Sequence, residues 1–215
     1  MKLCSDFYFN QKINFILHGS DSLDIEYIFN FFKSLNLRNK FNLFLKNTID
    51  TRFLCEFQKY KLNYENNKCS LYIALLYSKS ISDKEFIELQ KIEQKLHPIY
   101  KINWLNINSA IINYAVHDVL HLFKLFTNLS DTETILISEI FHLTMLIKYL
   151  NLNVGNIDRT EIKLTHHKMV IWNNIKKITT FKKSIVLIEQ LYLSGKLYEL
   201  LNKYELINLI AFLEL

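Results

Sequence analysis

The chain has 215 residues, of which 50% are hydrophobic, and a formal net charge of +5. With only 3 glycines and 1 proline, the composition favours long helices around a sizeable core and argues against sandwiches, barrels and low-complexity linkers. The positive charge favours an anionic partner. Polar residues break every long apolar run, so we expect neither a secretory signal nor a membrane span.

The first predicted element is a short buried strand, Ile13 to Leu17. It runs into a His-Gly turn, where Gly19 permits a sharp exit from the strand. Asp21 or Ser22 can then cap a helix whose first turn holds Asp24, a position where the helix dipole favours an anion. The sequence therefore predicts a carboxylate beside the carboxyl end of a strand.

Two further elements follow along the chain. The apolar run from Phe41 to Leu45 is interpreted as a second strand. Helical spacing of apolar residues then predicts a helix that begins at Ile49–Thr51 and continues to Lys61.

A longer apolar run, Ile111 to Phe126, predicts a helix that carries Tyr114 and Asp118 one turn apart on one face. We expect the opposite face to pack against a sheet, so that Tyr114 and Asp118 line a cleft. That apolar stripe consists of Ile112, Ala115, Val119, Leu122, Phe123 and Phe126. A metal-dependent nuclease uses such a carboxylate to hold a cation and such a phenol to orient the attacking water. The same spacing also arises by chance on amphipathic helices.

Three segments in this order, FILHGSDSLDIEYI, IDTRFLCEF and NYAVHDVLHLFKLF, resemble the RNase D family of DEDDy 3′-to-5′ exonucleases, and especially its exosome-associated branch. The resemblance covers roughly residues 10 to 127. The family's second motif, a His-Gly turn followed by Asp-Ile-x-Trp/Tyr, is matched by His18, Gly19, Asp24, Ile25 and Tyr27. The third motif, Tyr-x-x-x-Asp, is matched by Tyr114 and Asp118, and a structural Asp-Thr pair at a helix start by Asp50 and Thr51.

The resemblance implies an α/β fold: a truncated ribonuclease H-like domain over residues 1–150, with a small sheet covered by helices, followed by an all-helical region over residues 151–215. It also implies a 3′-to-5′ exoribonuclease that acts on single-stranded RNA 3′ ends by two-metal hydrolysis. Asp24 and Asp118 would bind Mg2+ or Mn2+, and Tyr114 would position the nucleophilic water. His18 and Gly19 would shape the turn where the substrate binds.

The exosome-associated branch further implies a nuclear protein of RNA processing or degradation within an exosome-type complex. A cytoplasmic role of the bacterial type is the alternative. No membrane partner is expected.

The chain departs from the family in its carboxylates. Family members carry a first motif, Asp-x-Glu, on a strand upstream of the His-Gly turn, whereas residues 1–12 contain a single acid, Asp6. The Asn103–Asn106 stretch also lacks the arginines that usually precede the third motif. Because Mg2+ takes about six oxygen ligands, Asp24 and Asp118 are an incomplete ligand set for two cations.

Three hypotheses are consistent with the missing carboxylates. A partner chain can supply the missing acids and strands, pairing with the open edge of the Ile13–Leu17 strand. The chain can instead be a non-catalytic RNA- or protein-binding subunit of an RNA-processing complex. It can also be a helical scaffold whose motifs match by coincidence.

Asp131-Thr-Glu133 has the letters of the missing motif. Ser130 and Glu133 form a capping-box pattern ahead of apolar residues with helical spacing. We therefore interpret this segment as the start of a helix that extends to Leu150.

Cys4, Cys55 and Cys69 are scattered and form no Cys-x-x-Cys pair. This pattern favours buried, unpaired thiols in a reducing compartment over a disulfide framework or a zinc site. The histidine pairs His117/His121 and His166/His167 have no third ligand in the sequence nearby, so we do not expect zinc.

A lapse in apolar periodicity over Asn151–Asn156 predicts a hinge. The next segment, Leu164 to Ile178, is similar in order and pattern to a helicase-and-RNase-D C-terminal (HRDC) domain, with a generic helical cap as the alternative. Two helices follow, Ile185–Leu193 and Leu197–Leu213, separated by Ser194–Gly195.

The clearest basic clusters, Lys176-Lys177 and Lys182-Lys183, flank Phe181. They predict either a solvated helix face or a surface for the RNA backbone.

Overall fold

The computed structural model describes residues 14–20, 24–62, 64, 69–96, 109–150 and 181–214. These residues form a mostly helical protein with one small parallel sheet, which confirms a mixed α/β fold. The strands are β1 (Phe15–Leu17) and β2 (Thr48–Asp50). The helices are α1 (Asp24–Ser34), α2 (Arg38–Lys46), α3 (Thr51–Lys61), α4 (Leu71–Tyr77), α5 (Asp83–Leu96), α6 (Ser109–Leu120), α7 (Leu122–Leu129), α8 (Thr134–Leu150), α9 (Phe181–Leu193), α10 (Leu197–Lys203) and α11 (Ile207–Glu214).

The sheet pairs β1 with β2 in parallel, in a register that sets Ile16 opposite Ile49. Parallel strands need a crossover connection, which α1 and α2 supply. β1 confirms the predicted first strand from Phe15 to Leu17, whereas Asn14 lies before it. Because the two strands are parallel, their carboxyl ends lie at the same edge of the sheet.

The prediction of a strand at Phe41–Leu45 was wrong, because this run lies within helix α2 and the second strand is Thr48–Asp50. Phe41, Phe44 and Leu45 have helical spacing and are each at most 1% exposed. They form the buried face of a helix. A short apolar run does not by itself distinguish a buried strand from a buried helix.

Helix α8 lies at the centre of the core. It contacts β2, α2, α3, α9 and α11, and its residues 140–147 are all buried. The aromatic rings around it interlock, with Phe53 and Phe141 edge to face at 5.0 Å. Helix α7 contacts β1 while α8 contacts β2, so the sheet is covered by helices. No helix among the described residues is long and apolar enough to span a membrane.

The start of α8 confirms that the Asp131–Glu133 segment belongs to a helix cap. The capping residue differs from the prediction. The Asp131 carboxylate accepts from the Glu133 N–H at 3.0 Å, and the Thr134 hydroxyl accepts from the Asp131 N–H at 2.8 Å. The Ser130 hydroxyl instead donates to the Phe126 carbonyl at 2.7 Å.

Helices α9, α10 and α11 pack against the rest of the molecule through α3 and α8. The predicted break at Ser194–Gly195 is confirmed, and Gly195 has a φ of +72°. The single helix predicted from Leu197 to Leu213 was wrong, because a turn at Tyr204–Glu205 divides it into α10 and α11. The predicted hinge at 151–156, the HRDC-like segment at 164–178 and lysines 176 and 177 lie outside the described residues.

Candidate functional site

The turn after β1 is held by Asp50, at the end of β2. One carboxylate oxygen, Oδ2, accepts from the Ser20 N–H at 2.8 Å and the Ser20 hydroxyl at 2.7 Å. The other, Oδ1, accepts from the N–H groups of Gly19 at 3.2 Å, Arg52 at 2.9 Å and Phe53 at 3.3 Å. Asp50 therefore caps α3, which confirms the predicted helix start at Asp50–Thr51, and it also holds the turn after β1, which was not predicted.

Gly19 lies within this turn at a φ of +63°, in the left-handed region that favours glycine. A Cβ built there would lie 3.6 Å from an Arg52 guanidinium nitrogen. The backbone conformation, rather than a steric clash, therefore accounts for glycine at this position.

His18 bridges the turn to two other elements. Its Nδ1 lies 2.9 Å from the Thr51 hydroxyl, and its Nε2 lies 2.9 Å from the Cys69 carbonyl oxygen. Because a carbonyl only accepts, Nε2 carries the proton and donates. Burial lowers the pKa of His18, against the opposing effect of the Asp50 charge. His18 thus connects the Cys69 backbone to the turn.

Asp24 is the first residue of α1. A hydrogen bond from the Ile25 N–H to the Ser20 carbonyl at 3.0 Å joins the start of this helix to the turn. Burial raises the pKa of Asp24, and the Asp50 charge raises it further. The structure thus brings Asp24 and Asp50 near each other at the carboxyl ends of the two strands. The caps predicted for α1, Asp21 and Ser22, lie outside the described residues.

Asp118 lies on α6 between two phenols. The Tyr72 hydroxyl donates to its Oδ1 at 3.4 Å, and Tyr114 also hydrogen-bonds to it. Burial raises the pKa of Asp118 and the Glu93 charge adds to this, whereas the two phenols and His117 oppose it. Burial and the Asp118 charge raise the pKa of Tyr114 to about 12. Tyr114 and Asp118 therefore do share one helix face.

The direction of that face contradicts the sequence prediction. Ile112, Val119 and Phe123, expected to pack against a sheet, are 52%, 63% and 70% exposed, and Ala115 is exposed as well. Tyr114 and Asp118 are partly buried instead. Within the stripe, only Leu122 and Phe126 pack against the core.

The physical reason is that the described sheet has only two strands, whose helical cover comes from α7 and α8. Helix α6 packs on α5 and α7 instead. Asp118, on the polar face of α6, accepts a hydrogen bond from Tyr72, and the apolar face of α6 is exposed to solvent.

The candidate residues thus form two groups. We call His18, Asp24, Asp50 and Thr51 the strand-end group, and Tyr72, Tyr114 and Asp118 the tyrosine group. The connection between them runs through Cys69, whose carbonyl binds His18 and which precedes α4, the helix of Tyr72.

The described residues do not by themselves form a site for a divalent cation. Within this part of the chain, no three His, Cys, Asp or Glu side chains lie close enough together to hold a metal ion. Asp50 is 1% exposed, and both of its oxygens accept hydrogen bonds from the protein. A cation at Asp24 or Asp118 would need ligands from residues other than these.

Cys55 and Cys69 form a disulfide with a Cα–Cα distance of 6.2 Å. The prediction of unpaired thiols was therefore wrong for these two cysteines. The reason is tertiary: Cys55 lies on α3, and the chain returns to this helix only at the start of α4, after a separation of 14 residues. The two cysteines are therefore too far apart in sequence to form a recognisable short-spacing motif.

Tyr72 and the helices α4 and α5 were not predicted from the sequence. Ser82 and Glu85 give a capping-box spacing that indicates the start of α5, and the Ser82 hydroxyl and Glu85 carboxylate do bond at 2.7 Å. No local pattern indicates Tyr72, because its partner Asp118 is distant in sequence.

Comparisons with known proteins add one distant relative. No family model matches the chain, and no solved structure matches it. An uncharacterized protein of Acanthamoeba polyphaga mimivirus is 38% identical over 125 residues, which cover 53% of this chain and 24% of that protein. The chain thus spans about a quarter of the length of this relative. Because this relative is uncharacterized, the similarity indicates no activity for the chain.

Proposed function

We propose that this chain is a 3′-to-5′ exoribonuclease-like protein of RNA processing or degradation, with a truncated ribonuclease H-like domain. The observation that carries the proposal is the arrangement around the sheet edge. A turn locked by Asp50 delivers Asp24 at the carboxyl ends of two parallel strands. The paired Tyr114 and Asp118 lie on a helix whose contacts lead back to that turn through Tyr72 and Cys69.

The electrostatics of the two acids support a role with cations. The pKa values of Asp24 and Asp118 are both raised, with burial as the largest cause. A carboxylate that is partly withdrawn from water gains more from a nearby cation than a fully hydrated one does. The strand-end group and the tyrosine group each hold one such acid.

In this proposal the remaining metal-binding carboxylates come from a partner polypeptide. Mg2+ or Mn2+, when bound, supplies charge neutralisation at the scissile phosphate. The contribution of this chain is to position Asp24 and Asp118 and to hold Tyr114 beside Asp118. The substrate is the 3′ end of single-stranded RNA, and an exosome-type complex in the nucleus is the proposed setting.

A second candidate is a non-catalytic RNA- or protein-binding subunit. One observation favours it: the apolar face of α6 and α7 is exposed. This face consists of Ile112, Val116, Val119, Leu120 and Phe123, each at least 47% exposed. Contiguous exposed apolar residues often mark surfaces for protein partners.

The test is hydrolysis of a 5′-labelled single-stranded RNA by the full chain with Mg2+ or Mn2+. We expect products shortened stepwise from the 3′ end, and complete loss on chelation. Asp24→Asn and Asp118→Asn should each lower the rate by about 100-fold or more. Asp83→Asn, an exposed residue at the start of α5, is the matched control and should leave the rate unchanged.

Digestion that is equal in Asp118→Asn and wild type would show a contaminant and remove the catalytic proposal. RNA binding without turnover, unchanged by either substitution, would favour the binding subunit.

A further inference from the structure

The Cys55–Cys69 disulfide lies between the strand-end group and the tyrosine group. Cys55 is one turn after Thr51 on α3, and Thr51 contacts His18. Cys69 offers its carbonyl to His18 at 2.9 Å and directly precedes the segment that opens α4. The bond therefore joins the helix that begins at the strand ends to the helix that carries Tyr72.

The tyrosine group depends on where α4 lies. Tyr72 reaches Asp118 only through a 3.4 Å hydrogen bond between side chains on different helices. A small displacement of α4 lengthens this bond beyond hydrogen-bonding distance. The same displacement moves the Cys69 carbonyl away from His18.

Both cysteines lie inside the protein, with Cys55 0% and Cys69 2% exposed. Each side chain therefore fills space in the core in either oxidation state. Reduction breaks the S–S bond and removes the covalent restraint, but both sulfur atoms stay in the core. The closed loop of 14 residues is long enough for the bond to restrict the unfolded chain substantially.

We propose that the Cys55–Cys69 disulfide is a covalent tether that sets the position of the tyrosine group relative to the strand-end group, so that the arrangement of the two groups depends on the oxidation state of these cysteines. This inference rests on the proposed function in treating the two groups as one site. Reduction by a dithiol breaks the S–S bond, takes up two electrons and two protons, and yields thiols on Cys55 and Cys69. The dithiol is oxidised to its own disulfide in the same step.

In the reduced chain, α4 is held only by non-covalent contacts. The Cys69 carbonyl then separates from His18 more easily, and water reaches the His18 ring. The Tyr72–Asp118 hydrogen bond is populated less. The oxidised chain keeps both contacts together.

The first measurement is the number of free thiols. The full chain, purified without reductant and then unfolded in denaturant that contains an alkylating reagent, should take one label, on Cys4. After dithiothreitol it should take three labels, on all 3 cysteines. Three labels without reductant would overturn the tether.

The second measurement compares the oxidised chain with the chain reduced by dithiothreitol and then desalted under argon. We expect Tm to fall by about 5 °C or more on reduction. In a histidine NMR titration, assigned with His18→Gln, the His18 midpoint should rise by about 0.5 pH or more toward that of an exposed histidine.

Two variants serve as controls. Cys4→Ala should keep the full response to reduction, whereas the double variant Cys55→Ala/Cys69→Ala should show none. An identical Tm and an identical His18 titration in both oxidation states would overturn the proposal.

The nuclease rate is a separate readout, expected to fall about 10-fold on reduction. If the chain hydrolyses no RNA in either state, the proposed function fails, while the thiol count, Tm and His18 titration still decide whether the tether exists.

Discussion

At the scale of single residues, Asp50 shows how one carboxylate can specify both a turn and a helix start. Its two oxygens accept hydrogen bonds from the backbone N–H groups of Gly19, Ser20, Arg52 and Phe53 and from the Ser20 hydroxyl. The backbone N–H groups at the start of a helix have no acceptor within that helix, and the Asp50 carboxylate supplies one for Arg52 and Phe53. Buried negative charge is tolerated here because it lies at the positive end of the α3 dipole.

His142 is a buried residue whose protonation should control stability. It is 2% exposed, and its Nε2 donates to the Asn42 side-chain oxygen at 2.8 Å. Burial lowers the pKa of His142 to about 3, and the Lys46 charge acts in the same direction. The folded chain therefore keeps this ring neutral at pH values where the unfolded chain protonates it.

The sign of the effect follows from proton binding. Below the ordinary histidine pKa of about 6.5, the unfolded chain binds more protons at this site, so stability falls as the pH falls toward 3. We expect a loss of up to about 1.4 kcal/mol per pH unit from this residue. Urea denaturation at several pH values between 7.5 and 4 measures it.

Because other buried groups also titrate, the informative quantity is the difference between the wild type and His142→Gln. The glutamine variant should show a flatter dependence on pH in this range. Parallel curves for the two proteins would rule out His142 as the cause.

At the scale of elements, helix α6 shows that amphipathic spacing predicts a helix better than it predicts which face is buried. Tyr114 and Asp118 lie on one face as predicted, because that result depends only on helical geometry. The apolar face was predicted to lie in the interior, whereas it is exposed. Burial depends on which elements lie alongside, and here Tyr72 on α4 contacts the polar face.

This orientation predicts unequal costs for two apolar substitutions in α7. Phe123 is 70% exposed and Leu125 is 0% exposed. Phe123→Ser should change the free energy of unfolding by no more than about 0.5 kcal/mol, whereas Leu125→Ala should cost about 2–5 kcal/mol. Chemical denaturation of both variants gives the comparison. A cost for Phe123→Ser as large as that for Leu125→Ala would mean that the apolar face is covered.

The segment Phe41–Leu45, wrongly predicted as a strand, shows the same dependence on neighbouring elements. Phe41 to Leu45 is short, apolar and aromatic, which fits a strand as well as a helix. The aromatic packing of Phe41 against Phe29 at 5.1 Å and against Tyr149 at 6.1 Å lies on the buried side of α2. Only these neighbours, from α1 and α8, distinguish the two alternatives.

At the scale of the whole molecule, one hydrophobic core extends from the strands to the last helices. The link between the early and late parts of the chain includes a polar contact. Glu56 on α3 is 6% exposed and accepts from the Phe181 N–H, at the start of α9, at 2.6 Å. The same carboxylate lies 3.4 Å from the Arg52 guanidinium. Glu56 thus caps a helix that is distant in sequence.

Removal of this carboxylate should loosen the C-terminal helices. We expect Glu56→Ala to cost about 1–3 kcal/mol, because it leaves the buried Phe181 N–H without this acceptor. Hydrogen exchange should show the largest loss of protection in α9, α10 and α11. Glu56→Gln keeps an acceptor oxygen and is the matched control, with a smaller expected loss. Equal protection of α9 in Glu56→Ala and wild type would contradict the capping role.

What the sequence by itself determined depends on short-range physics. The turn at Gly19, the helix start at Asp50–Thr51, the cap before α8 and the shared face of Tyr114 and Asp118 all follow from spacing and backbone conformation. What only the tertiary structure decided depends on neighbours that are distant along the chain: the helical state of α2, the outward apolar face of α6 and the Cys55–Cys69 bond. Burial and pairing arise from packing between elements, and no local pattern contains that information.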